Sequence, residues 1–138
     1  MVESVECTDC GSPCGKVIFN VGPFAPHVLP AGWWRHRAMT SLQRAYVNHD
    51  GLRVIITVSR EADGKRWLHV SCSHQDRLPS WDELREVKDI FIGRDELAVQ
   101  VLPSETEYVN HHPYVLHLWH CLDGRPLPDF RCQVAGEI

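Results

Sequence analysis

Residues 48–73 read NHDGLRVIITVSREADGKRWLHVSCS and contain two Asp-Gly pairs, each followed by a run rich in apolar residues. Asp-Gly favours hairpin turns because glycine adopts positive φ angles without steric cost. Together with the apolar residues just before this stretch, the pattern predicts three antiparallel strands over residues 42–47, 52–59 and 66–73. We therefore expect a meander of three strands at the centre of the fold.

A helix is predicted immediately after Pro79. Ser80 and Glu83 have the Ser-x-x-Glu spacing of a capping box, and Gly93 is a typical residue at a helix end. Apolar residues recur at near-helical spacing between these limits, at Trp81, Leu84, Val87 and Phe91. This spacing predicts that one side of the helix packs on the sheet.

Two more strands are predicted at residues 97–102 and 114–122, which end at Pro103 and at Asp123-Gly124. The resulting order β-β-β-α-β-β indicates an α+β fold, with one helix packed on an antiparallel sheet. We expect this domain to cover residues 41–138.

Residues 1–40 have a different composition. Residues 16–21 are apolar enough for a short strand, and residues 22–34 contain three prolines and two glycines and end on two tryptophans. Prolines at this density favour an extended chain because they fix φ and remove backbone donors. The segment therefore predicts a cysteine knuckle followed by a proline-rich arm that wraps the domain, with Trp33 and Trp34 holding the arm to the core.

The knuckle is predicted from three closely spaced cysteines, Cys7, Cys10 and Cys14. Two thiolates three positions apart, with a glycine after the second, match the turn that places both sulfurs on one zinc ion. A closed zinc site needs a fourth ligand, for which Cys132, His27, Cys121 and Cys72 are the candidates. Cys132 is favoured because it would join the two chain ends. We therefore expect a structural zinc.

Composition limits the classes of function. Lys and Arg number 14 against 18 Asp and Glu, which gives a net charge of −4. This balance argues against a general nucleic-acid binder, which usually carries a basic excess. The sequence contains no apolar run of the roughly 20 residues that a membrane-spanning helix needs, and no signal-peptide pattern. We expect a cytoplasmic protein with no membrane partner, in which the cysteines are thiols or metal ligands.

The strand patterns also predict one polar face. If the Leu and Val side chains of the last three strands all contact the helix, alternation places His69, Ser71, Gln100 and His117 together on the opposite face. Polar groups that converge between tryptophans are typical of a small-ligand site. The alternative is a sheet face that is simply solvated.

Part of this polar face also fits an enzymatic alternative. His69-Val70-Ser71 fits one of the two His-x-Ser/Thr strands of two-histidine phosphoesterases, but His117-Leu118-Trp119 has tryptophan in place of the second hydroxyl. The sequence has no Gly-x-Ser-x-Gly elbow and no glycine-rich phosphate loop. We assign no catalytic residue, and the sequence leaves open whether the protein is an enzyme.

Six short motifs follow one another between residues 67 and 130. They are WLHVS (67–71), SWDELREVK (80–88), AVQVLP (98–103), YVN (108–110), LHLW (116–119) and PLP (126–128). This series resembles a family of small, largely phage-encoded proteins known only as a domain of unknown function. The resemblance implies a phage or prophage origin and an intracellular site of action, and it implies no activity. Relatives have an acidic residue where this chain has Gln100, so any chemistry that depends on that carboxylate would be missing here.

Three classes of function follow. The first is an accessory protein of the phage type that binds a host or phage protein, since the chain is small and acidic and lacks a catalytic motif. The second is a small-ligand or phosphoesterase-like domain that uses the polar face. The third is a nucleic-acid module, in which Trp33 and Trp34 stack on bases and Arg35 and Arg37 contact phosphates. The net negative charge places this third class last.

Overall fold

The computed structural model describes residues 2–6, 13–101, 114–124 and 134–137. Within these ranges the chain forms an antiparallel sheet and one α-helix, which confirms the predicted α+β class. The strands are β1 (Val2–Glu6), β2 (Pro13–Phe19), β3 (Trp33–His36), β4 (Arg44–Asn48), β5 (Arg53–Arg60), β6 (Arg66–Ser73), β7 (Val99–Val101), β8 (Val115–Cys121) and β9 (Val134–Glu137). The helix α1 spans Trp81–Phe91, and a short 3₁₀ helix spans Gly22–Phe24.

The sheet order is β1-β2-β5-β6-β8-β7-β9, and β3 and β4 branch from β5. One edge of β5 is shared by two strands: β4 pairs with Arg53–Ile56, and β2 pairs with Val58–Arg60. The other edge pairs with β6 over its whole length. Strands from residues 1–40 and from residues 41–138 therefore pair with one another in a single sheet.

The predicted meander is confirmed as β4, β5 and β6. Gly51 and Gly64 stand in the two turns with φ angles of 83° and 82°. An L-residue with a side chain rarely adopts such a φ, which is why Asp-Gly predicts these turns. The third strand has the predicted limits, residues 66–73.

The predicted helix is also confirmed, with both hydrogen bonds of the capping box present. Ser80 Oγ accepts from the Glu83 amide at 3.1 Å, and Glu83 Oε1 accepts from the Ser80 amide at 2.8 Å. Leu84, Val87 and Phe91 are buried as expected, but Trp81 is 49% exposed. The expectation for Trp81 was wrong because this residue begins the helix at the margin of its apolar stripe.

The main core lies between α1 and one face of the sheet. We call this the helix face; it carries Val54, Val70 and Leu118, all fully buried. We call the opposite side the far face. It carries Ile55, Ser71 and His117, since directly paired residues of antiparallel strands point to the same side.

Trp33 fastens β3 to the helix. Its indole N–H donates to Glu86 Oε1 at 3.1 Å, and its ring meets the Phe91 ring edge-on, with centroids 5.3 Å apart. Phe24 and Leu29 also pack against the main core. Trp34 points to the far face and is 55% exposed, so only one of the two tryptophans holds this segment down.

No helix in the described parts of the chain has the length and apolar character needed to cross a membrane.

Candidate functional site

The far face brings together two of the predicted site residues in direct contact. His69 lies on β6 and His117 on β8, and their Nε2 and Nδ1 atoms are 2.8 Å apart. One ring must donate the shared proton and the other must accept it, so at least one nitrogen of the pair is unprotonated. Ser71 is the direct partner of His117 across the strand pair. These three predicted residues therefore form one cluster.

Packing encloses the histidine pair. The His69 ring stacks on Trp119 with centroids 4.3 Å apart, and Trp119 meets Trp67 edge-on at 6.5 Å. The Nε2 atom of His117 is buried. Two-histidine acid–base chemistry needs both rings to face the same substrate bond, whereas these rings face each other. The arrangement therefore suits packing and hydrogen bonding better than proton transfer to a substrate.

Gln100 does not join this cluster. It pairs with Leu118 and so lies on the helix face, where it is buried, while its neighbour Val99 pairs with Trp119 on the far face. Alternation along a strand assigns its residues to two faces but does not say which face contacts the helix. The expectation that Val99 contacts the helix was wrong. Val99 instead packs with Trp67, Trp119 and Cys121 in a second buried cluster.

A cleft of about 460 Å³ lies beside the cluster, and Ser71 is part of its wall. This volume falls in the range of small-ligand sites. Side chains of the far face form much of its lining, including Ala45, Ile55, Ser73 and Val115. Further lining residues are Arg53 at the start of β5, His36 at the end of β3, and residues of loops: Arg37, Met39, His74 and Gln75. We call this space the far-face cleft.

Among the residues that the structure describes, those that line the cleft include cationic but no acidic side chains. Arg37 and Arg53 are both exposed, and neither has a carboxylate within 4.0 Å among the residues whose side chains the structure describes. Met39 is 89% exposed at the same place. An arginine-bearing surface without acids is unexpected in a chain of net charge −4. The two arginines favour anionic partners at this cleft.

The predicted metal ligands cannot be compared with the structure. Cys7, Cys10 and Cys132 lie outside the described residues, as does the side chain of Cys14. Among the described residues, no group of three or more His, Cys, Asp or Glu side chains could hold a metal ion. Cys72 and Cys121, two of the alternatives for the fourth ligand, are free and buried, and burial raises the pKa of both thiols. The zinc site remains a prediction.

Comparison with known proteins gives one match. Residues 59–123 match the family model described as a domain of unknown function, DUF7694. The match supports the resemblance to an uncharacterised domain family, and it includes β6, α1, β8 and the histidine pair. No curated protein and no solved structure matches the chain. Arg37, Met39 and Arg53 precede the matched region; the sequence reasoning missed Met39 and Arg53 as site residues and assigned Arg37 only to the nucleic-acid alternative.

The common position of Arg37, Met39 and Arg53 at one cleft was missed because strand alternation was applied only to the strands before and after the helix. Arg53 occupies an outward position at the start of β5, directly opposite Ser73, and alternation in β5 was the available signal. Arg37 and Met39 follow β3 in irregular structure, where the sequence offers no periodicity. Only the pairing of β3 with β4 places them beside the cleft.

Proposed function

We propose that this protein is a binding module that accepts an acidic segment of another protein in the far-face cleft. The observation that carries the proposal is that the described lining of this cleft contains Arg37 and Arg53 but no acidic residue, in a chain with four more acidic than basic residues. Guanidinium groups bind carboxylates through paired, charge-assisted hydrogen bonds. An acidic partner would therefore find complementary charge at this cleft.

The apolar part of the cleft supports a peptide as the partner. Ile55 and Val115 contribute to its lining, and Met39 stands exposed beside them. Methionine side chains adapt to partners of different shape because they are unbranched and polarizable. We infer that the partner segment presents both a carboxylate and an apolar side chain, since the cleft offers complements to each.

The wider proposal retains the cellular setting indicated by the resemblance. The protein would be an accessory protein of the phage type that acts on a host or phage protein in the host cytoplasm, with a structural zinc at the N-terminal cysteines. This setting is taken from the resemblance described above, and the match to a domain of unknown function adds only that the family is uncharacterised. The proposal of peptide binding does not depend on it.

Selection from a displayed library of random dodecapeptides tests the proposed function. The wild-type protein is the bait, and the Arg37→Gln/Arg53→Gln double variant is used for counter-selection. We expect enriched peptides that combine Asp or Glu with an apolar residue, and an affinity that falls about tenfold or more in the double variant, because two charged hydrogen-bond donors are lost.

Arg85→Gln is the control for loss of charge, since Arg85 is exposed on α1, away from the far face, and the substitution removes one positive charge without a change in the cleft. This variant should keep the wild-type affinity. The proposal is wrong if no peptide is enriched, if the enriched peptides lack acidic residues, or if Arg85→Gln and the double variant weaken binding equally.

A small anionic molecule in the same cleft is the second candidate. The concave volume of about 460 Å³ and the hydroxyl groups of Ser71 and Ser73 favour it. A phosphoesterase would in addition hydrolyse a cyclic or linear oligonucleotide and lose that activity in His69→Ala. Because His69 and His117 engage each other, we expect no hydrolysis in either protein.

A further inference from the structure

A second cleft lies on the other side of the sheet, beside β3 and β4, and has a volume of about 430 Å³. Its wall includes Arg35 and Arg44, which point to the helix face together with Tyr46. The remaining lining residues come from the segment before β3: Gly22, Ala25, Pro26, His27 and Leu29. No acidic residue is among these lining residues, which all belong to the described part of the chain. This second cleft takes no part in the function proposed above.

Arg44 is held in place by the backbone. Its Nη1 atom donates to the carbonyl oxygen of Ser41 at 3.0 Å and to that of Gln43 at 2.8 Å. Its Nη2 atom lies so close to Gly22 that a Cβ at that position would approach to 3.2 Å. The guanidinium is therefore oriented without a ligand, and little conformational entropy remains to be lost when a ligand binds.

The charges in this cleft are not balanced by nearby carboxylates. Among the described side chains, neither Arg35 nor Arg44 has a carboxylate oxygen within 4.0 Å. Burial raises the pKa of Tyr46, and the two arginine charges only partly oppose this rise. The phenol is therefore protonated at neutral pH and can donate a hydrogen bond. Two cations and a residue with a neutral hydroxyl thus line the same small space.

We propose that this cleft binds the phosphate group of a small phosphorylated molecule. Arg35 and Arg44 supply guanidinium donors from neighbouring strands, and Tyr46 and His27 supply further polar groups around them. Donors that approach from several sides suit a tetrahedral phosphate better than a planar carboxylate, which one guanidinium can satisfy alone. A bound dianion would also relieve the repulsion between two uncompensated arginines.

Titration of the full chain with inorganic phosphate, followed by ¹H–¹⁵N NMR, tests this inference. We expect saturable shifts at the amides of Gly22, Arg35 and Tyr46. Acetate at the same ionic strength should produce weaker, non-saturating shifts. Adenosine monophosphate is the second probe: affinity equal to that of inorganic phosphate identifies the phosphate alone as the ligand group, and tighter binding adds a nucleoside contact.

Two variants and one control complete the test. Arg35→Gln and Arg44→Gln should each weaken phosphate binding about tenfold or more, because each removes a charge-assisted hydrogen bond. Arg44 also supports the backbone, whereas Arg35 is exposed, so Arg35→Gln tests the site without loss of the fold. Arg85→Gln should bind as the wild type does. Unsaturable shifts, equal responses to acetate and phosphate, or wild-type affinity in a folded Arg35→Gln protein would overturn the inference.

Discussion

His69 Nε2 lies 2.8 Å from His117 Nδ1, and the His69 ring stacks on Trp119 at a centroid distance of 4.3 Å. His69 and Trp119 are direct partners in the β6–β8 register, whereas His117 is the diagonal neighbour that pairs with Ser71. The register of β6 and β8 therefore explains both contacts of His69, the one with His117 and the one with Trp119. The pair stabilises the far face beside the cleft, and we assign it no role in chemistry.

A double-mutant cycle measures the energy of this contact. His69→Ala and His117→Ala should each lower the free energy of unfolding, and the coupling between them should be about 1 kcal/mol, as for a partly buried hydrogen bond. Urea unfolding at about pH 8 gives the values. As a control, His69→Ala combined with His27→Ala should show additive effects, because His27 belongs to the cleft on the other side of the sheet. Coupling near zero for His69 and His117 would show that their contact contributes nothing to stability.

The two neighbouring tryptophans should respond differently to truncation. Trp33→Ala removes a buried ring and its bond to Glu86, which should cost about 3–5 kcal/mol. Trp34→Ala removes a side chain that is 55% exposed, and the expected change is within about 0.5 kcal/mol. Chemical denaturation of both variants checks this difference. Similar losses in the two would mean that Trp33 does not fasten β3 to α1.

The carboxylate of Glu83 in the capping box should make the stability of the fold decrease in acid. Hydrogen bonding from Arg77, with further bonds from Ser80, lowers the pKa of Glu83 from 4.5 to about 2, although burial acts in the opposite direction. A carboxylate whose folded-state pKa is lowered stabilises the fold above its ordinary pKa. This contribution is lost as the pH falls through the folded-state value.

The stability difference between wild type and Glu83→Gln should therefore be full at neutral pH and shrink between about pH 4.5 and pH 2. Urea unfolding at several pH values measures it. Ser80→Ala should cost about 1 kcal/mol at neutral pH, since it removes the N-cap oxygen. A Glu83→Gln difference that stays constant over this range would disprove the assigned role of the carboxylate.

The zinc prediction is tested by metal content. Protein purified without chelator should contain about one zinc per chain, because a closed structural site binds one ion. Cys7→Ser and Cys10→Ser should lose the metal, whereas Cys72→Ala should keep it, since burial raises the pKa of the Cys72 thiol and a metal ligand must be a thiolate. Mass spectrometry of the intact protein provides the measurement. Metal-free wild type with unchanged melting after chelation would exclude the site.

Local chemistry predicted the elements better than it predicted their arrangement. Asp50-Gly51 and Asp63-Gly64 specified two turns, and the Ser80–Glu83 capping box specified the start of the helix, because each depends on residues close in sequence. The sharing of one edge of β5 by β2 and β4 could not be predicted, since it depends on long-range pairing.

The same limit applies to the site. The contact between His69 and His117 follows from alternation once β6 and β8 are paired, so the sequence could predict it. The position of Gln100 depends on the register of β7, a strand of three residues, and no sequence pattern fixed that register. Arg37 and Arg53 meet at one cleft only through the β3–β4–β5 pairing. Their shared position is therefore evident only from the folded structure.

Mapping of a library-selected peptide by ¹H–¹⁵N NMR is the most direct test of the central claim, which is that the far-face cleft binds an acidic segment of another protein. We expect the largest amide shifts at residues that line this cleft, among them Ala45, Ile55, Ser71 and Val115. The amides of α1, on the other side of the sheet, should change little. Shifts concentrated on α1 or at the second cleft around Gly22 and Arg35, with the far face unchanged, would contradict the proposed function.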